Sequence, residues 1–413
     1  MIVKDKAGCD VDVGGDVWVF YDPHRRFTVD WTIVADLPPF VTVAAKRYAI
    51  KLLRSGAPSC AAGFFRDSIC PLLRCPSAQH PATALTELTF DELRRLVVRN
   101  KAALQRYRKF YRDSYKARMP GFDRASSRVM DSIPIGQHRP PAPLLGRNPP
   151  LKQEQVNFLH AQIAAHRDSL PLAGRVAVGL SLSLGPNADP MALARGGDLS
   201  GESDRPKFGV VQHKKRHPKA RYVLRDLPIG PRLAADIRAL DRHNAELAAA
   251  MVWPDGTIGI PPGVEVPLFM RRSPKPSHVG EDCPMREFAL QMTPNEVSEL
   301  IRDTVATICR LTDAEPIYMT ARTGRRTVFT EAQRAGLPAS AIAFIGGHRG
   351  IGYLGNYAAE GLAGLEHVER ALGDRLAEIC SAFVPVASAH AAAANEIVLK
   401  LRKPVFGPVM ENE

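Results

Sequence analysis

The sequence predicts a mostly helical α+β protein with two domains, and three features support this prediction. Apolar residues recur with helical periodicity along most of the chain, and capping threonines precede two of the periodic segments. Alternating β-branched and aromatic residues are concentrated in two short stretches, residues 13–35 and 208–224. A Pro/Gly-rich stretch separates the two halves. The predicted divisions are an N-terminal domain at 1–132, a linker at 133–152, a second domain at 153–402 and a tail at 403–413.

Composition narrows the class of protein. The chain has 413 residues and a formal net charge of +12. This charge favours an acidic polymer as partner, and the alternative is a soluble basic protein without such a partner. Its 7 cysteines are scattered and form no C-x-x-C pair, so we expect a reducing setting, no disulfide framework and no bound metal. The first residues lack the apolar core of a signal peptide, and no apolar run approaches transmembrane length. We therefore expect a cytoplasmic protein with no membrane partner.

The N-terminal domain is predicted to begin with a short β segment, followed by helices. The turn signal Asp22-Pro23 lies between alternating residues and predicts a hairpin. A helical pattern starts at Phe40 and ends at Gly56, a residue suited to a helix C-terminus. Thr89, with Glu92 three residues on, has the spacing of a capping box and predicts the start of another helix.

Much of the positive charge is concentrated in residues 94–128, which contain 12 Lys/Arg against 2 Asp, a net charge of 12 − 2 = +10. Aromatic residues such as Tyr107 and Phe110 are interleaved with these cations, and we expect them to pack on the domain core. The cations are then predicted to contact DNA phosphates, although a solvated helix face is the alternative. The predicted DNA-binding residues are Arg94, Arg95, Arg99, Lys101, Arg106, Arg108, Lys109, Arg112 and Lys116.

Three elements are predicted in the second domain before its last third. Residues 208–224 alternate around a Lys-Lys-Arg-His-Pro break and predict a β-hairpin. Residues 271–285 are polar and contain Pro and Gly, which predicts a flexible insertion. Thr293 and Glu296 have capping-box spacing at the start of a helix that runs to Leu311.

Residues 320–357 carry the strongest functional signal. Arg322 and Arg325 are spaced i, i+3; His348 follows Arg325 by 23 residues, and Tyr357 follows His348 by nine. Guanidinium groups bind phosphate oxygens bidentately, an imidazole can pass a proton and a phenol can act as a nucleophile. The alternative is a basic helix, a glycine turn around a core histidine and a buried tyrosine. Tyr353 lies only five residues after His348 and fits packing better.

These residues and both spacings resemble the catalytic domain of the tyrosine recombinase (phage integrase) family. The resemblance implies that Tyr357 forms a 3′-phosphotyrosyl bond with DNA, with no metal and no cofactor. Arg325 would hold a nonbridging phosphate oxygen, with Arg322 at the variable His/Lys/Arg position of the family, and His348 would assist the phosphate or the proton transfer. It also implies that a helical N-terminal domain clamps the duplex opposite the catalytic domain.

Two further positions follow from the resemblance. The hairpin lysine that protonates the leaving 5′ oxygen would be Lys214 or Lys215, and the spacing does not distinguish between them. The first catalytic arginine of the family aligns with Asn187, which carries no charge. Arg175 and Arg195 are the nearest cations in sequence that could replace that arginine.

The sequence therefore predicts a site-specific DNA recombinase or integrase of a mobile element. The alternatives are a catalytically impaired accessory protein of the same fold and an unrelated basic nucleic-acid-binding protein. The expected partners are double-stranded DNA and either further copies of this chain or partner recombinases, and the expected location is the nucleoid.

Overall fold

A computed structural model describes residues 1–79, 84–97, 100–135, 149–211 and 224–347. These residues form a mostly helical protein with small antiparallel sheets, which confirms the predicted fold class. Within the described ranges, none of the helices combines the length and the apolar character needed to cross a bilayer.

Two β-hairpins open the chain. Strands β1 (Ile2–Lys4) and β2 (Asp10–Asp12) pair antiparallel, as do β3 (Val17–Tyr21) and β4 (Arg26–Asp30). The Asp22 carboxylate accepts hydrogen bonds from the N–H groups of the second and third residues that follow it, at 2.8 and 2.9 Å, and so closes the β3–β4 turn. The predicted hairpin around Asp22-Pro23 is thus present, and β1–β2 is an addition that the sequence patterns did not predict.

In the described residues that follow the hairpins, the α-helices are α1 (Pro39–Ser55), α2 (Pro58–Phe64), α3 (Pro76–Gln79), α4 (Glu87–Leu96), α5 (Lys101–Lys116) and α6 (Arg124–Ser132). A buried aromatic cluster holds them together. The ring of Phe110 on α5 lies 5.3 Å from Phe64 and 5.4 Å from Phe122, centroid to centroid. Tyr107 and Tyr111 are fully buried beside it, which confirms that the aromatic face of the basic helix packs on the core.

The predicted cap at Thr89 is wrong. Helix α4 begins at Glu87, and Thr89 lies inside it, fully buried. Its hydroxyl lies 2.8 Å from that of Ser77, and the Glu92 carboxylate accepts from the same serine hydroxyl at 2.7 Å. Thr89 and Glu92 do have the spacing of a capping box, but their side chains contact Ser77 on α3 and do not cap α4.

The second half contains α7 (Gln153–Ala165), α8 (Leu172–Leu184), α9 (Ala188–Ala192), α10 (Pro231–Ala249), α11 (Pro294–Leu311), α12 (Ala321–Arg334) and α13 (Ala339–Gly346). Helix α8 is central and packs against α10, α11 and α12. Its apolar residues are buried on several sides, as expected of a helix that is surrounded by others. The capping box at Thr293 and Glu296 is confirmed at the start of α11, with a hydrogen bond of 2.7 Å from the Thr293 N–H to the Glu296 carboxylate.

A three-stranded antiparallel sheet lies beside these helices: β5 (Leu199–Gly201), β6 (Pro206–Val211) and β7 (Leu224–Pro228). The predicted hairpin is therefore formed by β6 and β7. Its tip, residues 212–223, lies outside the described residues.

Two large buried clusters correspond to the two halves of the chain. One draws its members from residues 3–130 and the other from residues 151–321. The exact domain boundaries stay a prediction, because most of the proposed linker, residues 136–148, lies outside the described part of the chain.

The predicted flexible insertion at 271–285 is wrong. Lys275 is 4% exposed and His278 is 0% exposed. The Lys275 ammonium donates to the carbonyl oxygens of Pro23 and Phe288, at 2.8 and 3.0 Å, and a ring nitrogen of His278 lies 3.2 Å from the Asp22 carbonyl oxygen. This polar segment is ordered by the β3–β4 turn, which is about 250 residues away in the chain, so local composition could not reveal the contact.

Candidate functional site

Arg325 lies at the meeting point of three elements. It is on α12, which begins after Thr320, and its side chain is 3% exposed. One terminal nitrogen donates to the Gly185 carbonyl at 3.0 Å and the other to the Gly346 carbonyl at 2.7 Å. The guanidinium also lies 4.5 Å from the ring centroid of Phe329. Carbonyl dipoles and an aromatic face hold this buried cation in one orientation.

The turn after α8 contributes the first of these carbonyls. Gly185 has a left-handed backbone, with φ of 58°. A Cβ atom on Gly185 would lie 3.0 Å from the Arg325 Cα and 3.1 Å from the Val328 Cβ. Glycine is therefore required both by the backbone conformation and by the close approach of α12.

Asn187 follows this turn and precedes α9, without capping the helix through its side chain. It is two residues from Gly185, so the Cα atoms of the two residues lie within about 7 Å of each other. The segment assigned to the family's first arginine thus runs beside Arg325, while its aligned side chain is a neutral amide. Its role as the first-arginine position remains a prediction.

Arg225 is a member of the site that sequence reasoning missed. It lies on β7 opposite Val210 and is 5% exposed. Its Nη1 donates to the Phe344 carbonyl at 2.7 Å, and its Nε has no hydrogen-bond partner among the residues that the structure describes. Burial first, and then the charge of Arg325, lower the pKa of Arg225 to about 10, so it remains a cation at neutral pH. A signal was available: within β7, Arg225 and Leu227 occupy the face that is buried, where a charge is unusual.

The last turn of α13 receives both arginines. Arg225 binds the carbonyl of Phe344 and Arg325 that of Gly346. Gly347 ends the helix in a left-handed conformation, with φ of 66°, and a Cβ on it would lie 2.5 Å from the Arg225 Nη1. The negative end of the helix dipole favours cations here, which lowers the cost of bringing the two together.

The remaining predicted catalytic residues have different outcomes. Arg322 is exposed on α12, one turn before Arg325. His348, Tyr357, Lys214 and Lys215 lie outside the described residues.

The two cations that could replace the first arginine are paired with carboxylates. A terminal nitrogen of Arg175 lies 3.4 Å from an Asp236 oxygen on α10. Arg195 forms ion pairs with Glu265 and Glu287. These carboxylates offset part of the positive charge of Arg175 and Arg195.

The predicted DNA-binding residues lie on two helices, α4 and α5, and many of the arginines among them have structural partners. The ion pairs are Arg94 and Arg95 with Asp91, Arg106 with Asp67, and Arg112 with Asp131. Arg108 lies 5.0 Å from the ring centroid of Phe90 and donates to the Ile133 carbonyl. Lys101, Lys109 and Lys116 are exposed on α5, whereas Arg99 lies outside the described residues. The exposed lysines are the best candidates for phosphate contacts.

Among the described residues, no group of three or more His, Cys, Asp or Glu side chains could hold a metal ion. The two buried guanidiniums, those of Arg225 and Arg325, are the groups of the candidate site that could bind an anion.

No protein-family model matches the chain, and no curated protein sequence does. Solved structures do match. The Tn1549 transposon integrase in complex with circular intermediate DNA has a TM-score of 0.50 and 13% identity, over 79% of this chain and 98% of that one. A lambda integrase dimer bound to a COC′ core site has a TM-score of 0.48 and 10% identity, over 85% of this chain and 95% of that one. The XerH site-specific recombinase bound to palindromic difH substrate has a TM-score of 0.48 and 11% identity, over 83% of this chain and 87% of that one. The match to the Tn1549 integrase, together with the mostly helical architecture and its small sheets, leads to one conclusion: this chain has the fold of the tyrosine recombinases.

Proposed function

We propose that this protein is a site-specific DNA recombinase or integrase that cleaves and rejoins DNA through a 3′-phosphotyrosyl intermediate, for a mobile element. The observation that carries the proposal is the position of Arg325. Its guanidinium is buried and oriented by the carbonyls of Gly185 and Gly346, two residues before His348 in the sequence. A fixed guanidinium can stabilise the charge that develops on a phosphate without reorganising during the reaction.

In the proposed reaction, the Tyr357 oxygen attacks the scissile phosphorus in line with the 5′ oxygen. The bond from phosphorus to the tyrosine oxygen forms and the bond to the 5′ oxygen breaks. Tyrosine gives its proton to His348 or to water, and Lys214 or Lys215 gives one to the leaving oxygen, so a free 5′ hydroxyl results. The reverse attack by a 5′ hydroxyl restores a phosphodiester, so no cofactor or external energy is consumed.

Arg325 and Arg322 would bind nonbridging oxygens of the phosphate, and His348 would assist the phosphate or the proton transfer. This division uses positioning and electrostatics rather than a metal. The position of Arg322 supports its proposed role in phosphate binding, because its exposed side chain is one turn from Arg325 on the same helix.

Double-stranded DNA is the proposed partner, and we propose that several copies of this chain or partner recombinases act together on it. The Tn1549 integrase, lambda integrase and XerH structures all contain DNA, and the lambda integrase structure is a dimer. The exposed lysines of α5 supply cations on the N-terminal half of the chain, where a second DNA contact is proposed. Action on DNA would place the protein in the cytoplasm, associated with the nucleoid.

A second function is favoured by one observation, the neutral side chain of Asn187. If no other cation serves in its place, the protein would bind DNA and cleave it poorly, as an accessory to an active recombinase. The ion pairs of Arg175 and Arg195 support this alternative, because they engage the two cations nearest in sequence.

The test first selects bound duplexes from a randomised DNA pool and then places a nick next to successive phosphates of the selected site. A nick beside the scissile phosphate lets the short 5′-hydroxyl fragment diffuse away, which traps a covalent adduct that is visible after denaturing electrophoresis. The proposal expects an adduct at one phosphate on each strand, with the DNA on Tyr357 by peptide mass spectrometry. Tight binding without any adduct would favour the accessory function.

A further inference from the structure

We infer that Arg225 provides the second guanidinium of the phosphate site and so serves where Asn187 lacks a charge. This inference rests on the proposed function. It assigns a catalytic role to a β7 residue that lies 225 − 187 = 38 positions after Asn187 in the sequence.

The first support is the way Arg225 is buried. Its side chain is 5% exposed, yet among the described residues it forms one hydrogen bond, to Phe344, and no ion pair with a carboxylate. Its Nε accordingly has no hydrogen-bond partner within the described part of the chain. A buried cation is costly unless it is paired. An incoming phosphate would supply both the missing counter-charge and the missing acceptor.

The second support is the position of Arg225 relative to Arg325. The two arginines donate to carbonyls two residues apart, and the Arg225 Nη1 lies 2.5 Å from the place of a Cβ on Gly347. Like charges brought this close repel, and Arg325 is one cause of the lowered pKa of Arg225. A phosphodiester between the two guanidiniums would turn this repulsion into attraction, because each can bind a nonbridging oxygen.

The third support is the state of the other candidates. Arg175 and Arg195 are bound to carboxylates, whereas none of the described carboxylates pairs with Arg225. Arg225 also lies at the start of β7, directly after the hairpin tip that carries Lys214 and Lys215 in the sequence. The sheet thus places a cation, Arg225, at the end of α13, whereas the turn after α8 provides the neutral Asn187.

A purely structural role makes a different prediction. If Arg225 only caps α13, a neutral donor at this position would serve, and the charge of the DNA phosphate would not matter. If it neutralises the phosphate, its loss should be compensated when the phosphate itself has no charge.

The experiment measures single-turnover adduct formation on two nicked substrates made from the selected site. One has a normal scissile phosphate, and the other has a neutral methylphosphonate there. The proteins are the wild type, Arg225→Gln, Arg225→Lys and Arg325→Gln, each checked by circular dichroism and thermal melting. On the phosphate, we expect Arg225→Gln to slow adduct formation about 100-fold to 1000-fold, as for the loss of a transition-state donor, and Arg225→Lys to slow it less.

On the methylphosphonate, the rate of Arg225→Gln should approach that of the wild type. An equal defect on both substrates would overturn the inference, since it indicates helix capping alone. A wild-type rate of adduct formation by Arg225→Gln on the phosphate substrate would also overturn the inference. If Arg325→Gln forms the adduct slowly in the same experiment, the proposed function still stands. A wild type that binds the site and forms no adduct would overturn the proposed function and this inference with it. If Arg225→Gln does not fold, Arg225→Lys takes its place in the comparison. A rate of adduct formation by Arg225→Lys that is reduced equally on both substrates would then overturn the inference.

Discussion

Arg225 on β7 and Arg325 on α12 donate hydrogen bonds to two carbonyls of the same helical turn, those of Phe344 and Gly346. The arginines are 100 positions apart in the sequence, so the sheet and the helices must be assembled before the pair exists. The C-terminus of α13 draws both cations because its unpaired carbonyls carry partial negative charge. The result is a preorganised cationic site immediately before His348 in the chain.

Replacing Tyr357 with Phe should abolish adduct formation on a nicked substrate and leave DNA affinity nearly unchanged, because only one hydroxyl is lost. Denaturing electrophoresis measures the adduct and a binding titration the affinity. Tyr353→Phe is the matched control, with the same chemical change four residues away, and it should form adducts at the wild-type rate. Adducts from the Tyr357 variant would show that the nucleophile is another residue, with Tyr353 as the next candidate.

Replacing Lys109 and Lys116 with Gln should weaken DNA binding and reduce its dependence on salt. If each lysine contacts one phosphate, the slope of log affinity against log salt concentration should fall by about 1.8, or about 0.9 per contact. Fluorescence anisotropy at several salt concentrations measures the slope. The Lys4→Gln, Lys6→Gln double variant removes the same charge near β1 and is expected to retain the full slope. Equal slopes in both variants would indicate that the exposed face of α5 is only solvated.

Replacing Gly185 with Ala should lower the free energy of unfolding by about 2–4 kcal/mol. Part of this is the cost of a left-handed alanine, about 1 kcal/mol, and the remainder is the contact with Arg325 and Val328. Gly263→Ala is the control, because Gly263 has φ of 79° and nothing within 4 Å of an added Cβ. It should cost about 1 kcal/mol. Urea unfolding measures the free energy of unfolding of both variants. If the two variants lose equal amounts, α12 can move away from the turn after α8 at no cost.

The unfolding free energy should fall as the pH drops from about 6.5 to about 4 because of His278. Burial lowers the pKa of His278 to about 4, whereas the unfolded chain has a normal histidine near 6.5. Between these values the unfolded state binds more protons, so acid favours unfolding, by up to about 3 kcal/mol at the lower limit. Urea unfolding at a series of pH values measures this loss.

His278→Gln should remove this part of the pH dependence, so the substitution should lower the free energy of unfolding more above pH 7 than below pH 5. His243→Gln is the control, since His243 is exposed on α10. If His278→Gln keeps the full acid sensitivity of the wild type, the loss comes from other groups.

Several features were predictable because they depend on short-range chemistry. The hairpin at Asp22-Pro23, the capping box at Thr293 and the aromatic face of α5 follow from turn propensity, capping and helical periodicity. The spacing of Arg322 and Arg325 on one helix and the glycines before His348 also follow from the order of residues. These patterns led to the recombinase fold, which the Tn1549 integrase match supports.

Other features depend on which distant residues meet, and residue order does not reveal that. Thr89 has the spacing of a cap and instead contacts Ser77, and the polar segment around Lys275 is buried by a turn about 250 residues away. Arg175 and Arg195, the obvious substitutes for a missing guanidinium, are bound to carboxylates of other elements. Arg225, which no motif marks, is brought to Arg325 by the pairing of β6 with β7 and the packing of the helices. Local propensities specify helices, strands and turns, but the partner of a buried charge is decided only when the assembled chain excludes water from it.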